Sequence, residues 1–393
     1  MKSISIKNPK LFIIGFIYTY LLFSKIVVPI PSLSTYAIFA IALCIAGALI
    51  VNDPPNLYKP LAFFLIYILL SLLALDPPSV FKVWYRYILF AGMLLISSPL
   101  LQNQTFRDLR KYCIKITLAF CIIISTISFF CFFLGINYMQ YQAIEIDYID
   151  KGGLFGGITN HSIALGFISG ISVCALLQWC LKNKLIYIVS IIPSFGSLMF
   201  AASRSAVIAT LVGCVVILFY TYKNYKNKRK ILEYLITIII GVSLAISSTD
   251  VLDGLKSKQL NRGDASLFSS REDKIECRLE EFKSSPIIGI GFATVDVNGR
   301  DYFDQQLGVI EPGSSWFAIL SMTGIIGLIF MLTIFYQCFK SNYSQRPITY
   351  FQLGLLIYVL TAMISEGYIF AGGSPICAIL WLIISQSVDL KYR

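Results

Sequence analysis

Residues 113–136 read CIKITLAFCIIISTISFFCFFLGI and contain one charged side chain, Lys115. A run of this length and apolarity is typical of a membrane-spanning helix, because about 20 apolar residues cross the hydrocarbon core of a bilayer. The whole chain has this character, since 57% of its 393 residues are hydrophobic and only 13% are charged. The sequence therefore predicts an all-α, polytopic integral membrane protein and excludes a soluble globular fold, a disordered chain and a secreted disulfide scaffold.

The same reading of the whole chain predicts about twelve transmembrane helices, separated by polar or Pro/Gly-rich turns. The predicted spans lie near residues 11–31, 33–51, 60–75, 83–101, 113–136, 161–181, 185–202, 205–221, 231–248, 315–338, 348–365 and 369–388. They divide the chain into transmembrane helices 1–9 over 1–248, one large loop over 249–314, and transmembrane helices 10–12 over 315–393.

The distribution of basic residues predicts the orientation. The segments on the side of the N-terminus carry 19 Lys and Arg, against five on the other side outside the large loop. Because basic residues favour the cytoplasmic side, both termini are expected in the cytoplasm. The large loop, the loop over 137–160 and the turns at Arg204 and Glu366 then lie on the outer face. We expect the active site there, because so long a loop in a compact protein usually has a function.

Several classes of function are excluded by composition. The net charge of +11 is mostly a topological signal, so no nucleic-acid partner is expected. The ten cysteines lie mainly in apolar runs without a C-x-x-C motif, and His161 is the single histidine. Neither a metal site nor another cofactor is expected from this pattern. No cleavable signal peptide is predicted, because the first apolar run, from Leu11, is too long and lacks a cleavage site.

Arg204 is the first candidate for chemistry, because apolar helix flanks it on both sides in the sequence Phe200-Ala201-Ala202-Ser203-Arg204-Ser205-Ala206. Ionisable residues at membrane depth are functional candidates. A guanidinium binds phosphate through two parallel hydrogen bonds and keeps its charge at any relevant pH. The alternative is an arginine that snorkels at a helix end or caps its carbonyls.

The large loop contains a second basic patch. Ile275, Leu279 and Phe282 recur at helical spacing, so residues 272–284 are predicted to form an amphipathic helix capped by Ser270. Arg271 and Arg278 lie two turns apart on one face of this helix and are candidates for a second anion-binding patch. The alternative is a solvated helix with internal ion pairs.

Two carboxylates are candidates for a general base. Glu311 precedes the tenth span, close to Ser314 and Ser315, and Glu366 lies between the last two spans with almost no loop. An apolar environment raises the pKa of a carboxyl group and suits it to proton transfer. In the alternative, Glu311 is a helix-dipole partner with Ser314 as the N-cap, and Glu366 belongs to a structural ion pair.

The remaining candidates lie near the fourth and sixth spans. The segment 152–157 is rich in glycine, which permits close approach to a ligand, and it leads into Asn160 and His161. These two residues are predicted to contact sugar hydroxyls. The alternative makes Asn160 an N-cap and His161 an interfacial histidine. Arg86, near the outer end of the fourth span, has a similar ambiguity between ligand binding and snorkelling.

Together these segments resemble the O-antigen ligase and O-antigen polymerase superfamily. The similarity rests on the order of four motifs and on the large loop between late spans, and it covers about residues 150–330. The motifs are the Gly-rich segment with Asn160, Ala202-Ser203-Arg204-Ser205, Ser270-Arg271 with Pro286-x-x-Gly289-x-Gly291, and Ser315-Trp316 with Gly324-x-x-Gly327.

The resemblance implies a GT-C-like membrane glycosyltransferase in the bacterial inner membrane, with the large loop in the periplasm. Such an enzyme uses a glycan donor linked to undecaprenyl pyrophosphate and requires neither a nucleotide sugar nor a metal. The family's arginine in the Ser-Arg-Ser motif corresponds to Arg204. Its loop arginine corresponds to Arg271, with Arg278 as the second assignment, and the resemblance implies that these arginines contact pyrophosphate or glycan.

One departure from the family pattern favours a polymerase. The ligases carry a catalytic histidine eleven residues before the first glycine of the Gly-x-x-Gly pair. Counting back from Gly324 leads to Gly313, so this histidine is absent. Glu311, or otherwise Glu366, is then the candidate base.

The sequence therefore predicts a polymerase of undecaprenyl-pyrophosphate-linked repeat units of a surface polysaccharide, with a chain-length regulator and a flippase as implied partners. An O-antigen ligase or an O-oligosaccharyltransferase on the same scaffold is the alternative. A repeat-unit transporter is a third hypothesis, but transporters usually show matching halves and charges at the midplane.

Overall fold

The computed structural model describes residues 8–139, 155–180, 186–224, 269–296, 303–304, 309–310, 313–344 and 350–390. These residues are mainly helical. The helices are α1 (Pro9–Phe23), α2 (Thr35–Asn52), α3 (Lys59–Leu75), α4 (Val83–Ser97), α5 (Gln104–Phe133), α6 (Ser162–Cys180), α7 (Ile186–Phe200), α8 (Arg204–Asn224), α9 (Ser269–Ser284), α10 (Ser315–Ser344), α11 (Tyr350–Ala362) and α12 (Pro375–Asp389). Two short antiparallel strand pairs join β1 (Asn56–Leu57) to β2 (Leu101–Gln102), and β3 (Phe303–Asp304) to β4 (Val309–Ile310).

Each predicted span that falls within the described residues overlaps a helix, although the predicted first span, 11–31, extends beyond α1, which ends at Phe23. The ninth predicted span, 231–248, lies outside the described residues. Within the described part of the chain, six helices are long and apolar enough to cross a membrane, and five further apolar helices are shorter. This is the architecture of a polytopic membrane protein, while the number of crossings stays a prediction.

Local sequence explains where these helices begin and end. Asn8 precedes α1, and its side chain accepts a hydrogen bond from the Leu11 amide at 3.2 Å. Asn103 caps α5 in the same way through the Phe106 amide at 2.8 Å. Such side chains replace the missing partners of the first helical amides. Helix α3 ends where Asp76 adopts a φ of 40°, directly before two prolines that cannot continue a helix.

Contacts between turns fall into two groups, one at each end of the bundle. At one end, β1 and β2 connect the α2–α3 turn to the α4–α5 turn. At the other end, the Val28 amide donates to the Ile158 carbonyl at 3.0 Å and joins the α1–α2 turn to the start of α6. In each group the turns that touch are turns predicted to lie on the same side of the membrane.

Helix α10 is interrupted at Gly324, whose φ of 61° and ψ of −167° are not helical. Residues 286–295, called the inserted segment below, follow α9 and pair with both sides of this break. Four backbone hydrogen bonds run from the amides of Ile290, Gly291, Ile325 and Ile326 to the carbonyls of Ser321, Met322, Pro286 and Ile287, at 2.8, 3.2, 2.9 and 3.3 Å respectively. The segment thereby supplies partners to backbone groups that the break exposes, which is the condition for non-helical backbone within a membrane protein.

A tyrosine from α3 connects the two sides of this junction. The Tyr67 hydroxyl lies 2.7 Å from the Thr323 carbonyl and 3.2 Å from the Ile288 carbonyl. Phe292 of the inserted segment is fully buried against the rings of Phe90 and Phe370. The two glycine motifs of the sequence, around Gly289 and Gly324, are therefore packing partners of each other.

The amphipathic helix predicted over residues 272–284 is confirmed as α9, but the face that is buried differs from the predicted one. It begins at Ser269, so Ser270 lies in its first turn and the prediction of Ser270 as its cap is wrong. Its buried side chains are Cys277, Arg278 and Glu281, whereas the predicted apolar stripe at Ile275, Leu279 and Phe282 is only half-buried. The helix faces inward with an ion pair because the inserted segment provides polar partners there.

The last two predicted spans also need correction at their facing ends. Helix α11 ends at Ala362 and α12 begins at Pro375, so a non-helical connector, residues 363–374, replaces the tight turn that was predicted around Glu366. The connector packs closely against α4 at Gly372. A Cβ at this position would lie only 2.7 Å from the Phe90 amide nitrogen.

Replacing Gly289 by alanine is expected to destabilise this junction. Its φ is +76°, and a Cβ there would lie 2.5 Å from the Met322 carbonyl carbon. Left-handed strain and overpacking together should lower the free energy of unfolding by about 2–4 kcal/mol. SDS titration of the purified protein measures this change. Gly47→Ala in α2 is the control, because no atom lies within 4 Å of its Cβ position. Equal unfolding midpoints for the two variants would contradict the assignment.

Candidate active site

The Ser203-Arg204-Ser205 turn connects α7 to α8 and is tightly fixed. Ala202, directly before it, has a φ of 48°, a left-handed conformation that is costly for a residue with a Cβ and is often found at functional sites. Phe200 at the end of α7 stacks on Phe132 of α5, with ring centroids 3.7 Å apart. Arg204 is the first residue of α8 and is half-buried.

Helix α6 approaches this turn through a glycine. A Cβ on Gly166 would lie 2.8 Å from the Cβ of Ser203, so glycine lets the two helices meet closely. His161 directly precedes α6, and Gly166, the residue of α6 that faces Ser203, lies about one and a half helical turns further along the helix. The Gly-rich segment that leads into α6 thus ends at the same end of the bundle as Arg204.

Glu366 lies against the Arg204 turn. The Ser205 hydroxyl donates to the Glu366 Oε1 atom at 2.9 Å, and Glu366 is 6% exposed. The connector between α11 and α12 thus places the buried carboxylate of Glu366 against Ser205, the residue that follows the half-buried Arg204. A carboxylate in this setting is either a proton acceptor or a partner of a cation.

Ser315 fixes the backbone at Glu366. Its hydroxyl donates to the Glu366 carbonyl at 2.5 Å and accepts from the Ile369 amide at 3.2 Å. Its own amide lies 3.0 Å from the carbonyls of Met363 and Glu366. The structure therefore assembles Arg204, Ser205, Ser315 and Glu366 from three different elements, and this set is called the Arg204–Glu366 cluster below.

Lys274, a basic residue that the sequence pattern did not single out, lies near this cluster. A Cβ on Gly313, two residues before Ser315, would lie 2.8 Å from the Cβ of Lys274. Lys274 is half-buried and follows Arg271 by one helical turn, so both start from one side of α9. Arg271 lies in the first turn of α9, and its side chain lies outside what the structure describes. The spacing of Arg271, Lys274 and Arg278 along the helix was the signal available in the sequence.

Arg278 is engaged in a buried network of its own. Its Nη1 atom lies 2.8 Å from Glu281 Oε2, 3.0 Å from the Thr294 carbonyl and 3.2 Å from the Ser321 hydroxyl. Burial lowers the pKa of Arg278, and the Glu281 carboxylate opposes that shift. The network ties α9 to the inserted segment and to α10. A contact between Arg278 and substrate stays a prediction.

Asn160 and His161 hold the start of α6. The Asn160 side chain donates to the Lys25 carbonyl at 3.2 Å, and its amide donates to the Ile26 carbonyl at 2.9 Å. His161 is exposed, and its Nδ1 atom accepts a hydrogen bond from the Ile163 amide at 3.1 Å. His161 therefore occupies the cap position that the alternative gave to Asn160. Their contacts with sugar hydroxyls stay predictions.

The last two predicted site residues lie apart from the cluster or outside the described residues. Arg86 lies in the first turn of α4, is half-buried, and donates through Nε to the Phe81 carbonyl at 2.7 Å. Glu311 lies outside the described residues, so its role as a base stays a prediction. Of the two predicted carboxylates, Glu366 is therefore the one that lies within the described residues.

Comparison with known proteins supports the predicted resemblance. The family described as O-antigen ligase matches residues 188–332, a range that runs from α7 into α10 and contains Arg204, α9 and the inserted segment. No curated protein matches the chain. The match confirms the resemblance to the O-antigen ligase and polymerase superfamily and supports an activity of the ligase or polymerase type.

Proposed function

We propose that this member of the O-antigen ligase and polymerase superfamily is the polymerase of lipid-linked repeat units of a surface polysaccharide. The growing glycan, linked to undecaprenyl pyrophosphate, is the donor, and the next lipid-linked repeat unit is the acceptor. The acceptor hydroxyl oxygen attacks the anomeric carbon of the donor. The bond from that carbon to the pyrophosphate oxygen breaks, and its electron pair leaves with the lipid pyrophosphate.

The observation that carries this proposal is the Arg204–Glu366 cluster. The Ser205 hydroxyl joins the turn that holds Arg204 to the carboxylate of Glu366. Arg204 stabilises the charge that develops on the pyrophosphate, since a fixed donor in a site of low dielectric acts strongly on such charge. Glu366 accepts the proton of the acceptor hydroxyl. Lys274 and Arg271 add positive charge on the side of α9.

The packing at Gly313 favours a polymerase over a ligase. The position that corresponds to the ligases' histidine is Gly313, with a φ of +72°, and the stem of Lys274 fills the space where a side chain would begin. A histidine there would need both a left-handed backbone and a displaced Lys274. A site without that histidine requires another base, which the cluster offers in Glu366.

A ligase remains the second candidate, because the matching family is described as O-antigen ligase. In that reaction the polymer is transferred from the same lipid carrier to another acceptor, a lipid core or a protein side chain. The glycans of a strain without this gene separate the two functions. Lipid-linked single repeats indicate a polymerase, whereas a full-length, lipid-linked but unattached polymer indicates a ligase.

The proposed reaction takes place on the periplasmic face of the bacterial inner membrane, with both termini in the cytoplasm. Substrate then arrives through a flippase that delivers lipid-linked repeats to that face. A chain-length regulator is the second partner that fits a polymerase. In the predicted orientation the Arg204–Glu366 cluster lies on the periplasmic side, to which the flippase delivers the substrate.

Replacing Arg204 by alanine tests the proposed role of the guanidinium. Chain extension by purified protein in liposomes should fall by about 10²- to 10³-fold, the usual loss when one transition-state donor is removed. Arg204→Lys should recover part of the rate, since the charge remains but the two-point contact with phosphate is lost. Lys340→Ala, at the far end of α10, is the control and should extend chains normally. Full activity of Arg204→Ala would overturn the assignment.

A further inference from the structure

Two serine hydroxyls flank Arg204 and lead to Glu366. The Ser205 hydroxyl donates to Glu366 Oε1 at 2.9 Å, and the Oγ atoms of Ser203 and Ser205 lie 3.3 Å apart. An ionised carboxylate accepts hydrogen bonds and cannot donate them, and a serine hydroxyl has one proton to give. The proton of Ser205 is therefore directed at Glu366, and Ser203 is the donor to Ser205. The three side chains form one directed series, called the hydroxyl chain below.

The backbone before α8 allows the two serines to meet. Within a regular helix, residues two apart do not face each other. Ser203 escapes this restriction because it precedes Arg204, the first residue of α8, and follows Ala202, whose φ is 48°. A left-handed residue with a Cβ is costly and persists only where the surrounding structure holds it. The fold thus maintains a strained turn that brings both hydroxyls to one side.

Helix α6 covers the first serine of the hydroxyl chain. Ser203 is 6% exposed, and a Cβ on Gly166 would lie 3.3 Å from its Oγ atom. A glycan does not reach a hydroxyl that is covered in this way, so Ser203 acts on the reaction through Ser205. Ser205 itself is half-buried in the first turn of α8.

Burial and the hydroxyl chain have opposite effects on the charge of Glu366. Glu366 is buried, and burial disfavours the ionised form of a carboxyl group, whereas hydrogen bonds donated to that form favour it. Ser203 adds to the second effect, because hydrogen bonds in a series polarise one another. The hydroxyl chain therefore helps to keep the carboxylate ionised, as a general base requires before the proton is transferred.

Other charged and titratable groups also act on Glu366. Arg204 lies between the two serines on the same turn, and Lys274 of α9 approaches from the start of α10. Tyr358 of α11 interacts electrostatically with Glu366 and with Tyr368 of the connector. Helix α6 and the first three turns of α10 contain no Asp, Glu, Lys or Arg. All of these groups are unchanged in serine variants, so a changed titration of Glu366 in such variants reports on the hydroxyl chain.

We propose that Ser203 and Ser205 are positioning residues for the proposed reaction, whose hydroxyls hold the Glu366 carboxylate ionised and in one orientation at the turn of Arg204. This rests on the proposed function, because it takes Glu366 as the base. Neither serine touches the reacting atoms. Both act through the carboxylate.

The pH dependence of chain extension tests the hydroxyl chain. The assay uses the full-length protein in liposomes, and its substrate is the lipid-linked single repeats extracted from a strain without this gene. Ser205→Ala should lower kcat about tenfold at neutral pH and change KM less than about twofold, since the substrate keeps its contacts. The acidic limb of the pH–rate profile should move to higher pH by about one unit, because the ionised carboxylate loses a donor. Ser205→Thr keeps the hydroxyl and should restore both.

Ser203→Ala shows whether the first serine acts through the second. Alone, it should move the acidic limb in the same direction by a smaller amount. Added to Ser205→Ala, it should change nothing further, since the bond that it strengthens is gone. A serine that only caps α8 would instead cause an equal loss in both backgrounds, and this result would remove Ser203 from the hydroxyl chain.

Thr210→Val is the matched control for the loss of a hydroxyl on α8. The Thr210 hydroxyl donates to the Ala206 carbonyl of its own helix at 2.6 Å. This variant should therefore keep the normal rate and the normal acidic limb. A limb that moves as far in Thr210→Val as in Ser205→Ala would contradict the proposal.

Infrared titration of the same proteins separates this proposal from the proposed function, because it does not require polymerisation. The carbonyl band of protonated Glu366 is identified as the band that Glu366→Gln lacks. It should appear at higher pH in Ser205→Ala than in the unaltered protein. A band that appears at the same pH in the unaltered protein, Ser205→Ala and Ser203→Ala would overturn the proposal. A normal rate of chain extension by Glu366→Gln would instead overturn the base assigned in the proposed function, and the infrared result would be unaffected.

Discussion

Replacing Glu366 by glutamine should slow chain extension by about 10²- to 10⁴-fold, the contribution expected of a general base. The change is nearly isosteric, and the amide oxygen can still accept the hydrogen bond that Ser205 donates to Oε1 at 2.9 Å. It removes the negative charge and the ability to accept a proton. The rate at saturating acceptor in reconstituted liposomes is the quantity to measure, because the loss should appear in kcat.

The controls for Glu366 separate chemistry from folding. Glu280→Gln changes an exposed carboxylate on α9 and should retain the normal rate. Ser205→Ala removes only the donor to Oε1, so its loss should be smaller than that of Glu366→Gln. The unfolding midpoint should show whether Glu366→Gln is folded. A folded Glu366→Gln protein that extends chains at more than half the normal rate would exclude Glu366 as the base, and Glu311 would be the next candidate.

Hydropathy predicted the helices well because lipid requires long apolar segments whatever their packing. It could not predict where α11 ends and α12 begins. Residues 369–371 are apolar, so a hydropathy average extends the last span over them, yet they belong to the connector, which packs against the α4 backbone through Gly372 and Phe90. The local signal for the start of α12 is Ser374 at the N-cap followed by Pro375, which a hydropathy average does not use.

The inserted segment is the largest feature that the sequence did not reveal. Gly289 and Gly324 belong to two separate motifs of the sequence, and their partnership depends on hydrogen bonds between segments that are more than thirty residues apart. An internal ion pair in α9 was one of the two alternatives, but the burial of the pair formed by Arg278 and Glu281 was missed for a related reason. Charged residues three apart on a polar helix suggest a solvated face, and only the inserted segment makes that face buried.

The candidate site was predictable where a residue type is costly in its context. Arg204 and Glu366 were found because ionisable side chains between apolar spans need a reason to be there. Lys274 was missed because a lysine in a polar loop is ordinary. Its interest comes from Gly313, which brings the first turns of α9 to the start of α10.

Arg110 shows that a count of charges along the sequence does not reveal which of them are buried. Of the changes considered, its replacement should lower the stability of the protein most. It was counted among the basic residues that define the cytoplasmic side, yet the structure buries it completely with Asp389. Arg110 Nε and Nη2 each lie 2.8 Å from the Asp389 carboxylate oxygens, and Nη1 lies 2.9 Å from the Leu101 carbonyl. Gln102 donates to the same carboxylate at 3.1 Å. The pair fixes the end of α12 to α5.

Arg110→Ala should lower the free energy of unfolding by about 3–5 kcal/mol, because it leaves the Asp389 carboxylate buried without its cation. Arg110→Leu combined with Asp389→Leu should cost less than either single change, since no uncompensated charge remains. Lys111→Ala is the matched control. Its ion pair with Asp108 is one residue away and partly exposed, so its removal should cost at most about 1 kcal/mol. SDS titration of the five purified variants, which are Arg110→Ala, Arg110→Leu, Asp389→Leu, the double Leu change and Lys111→Ala, measures all of these values. Additive losses from the Arg110 and Asp389 changes would contradict a coupled pair and would assign the loss to packing alone.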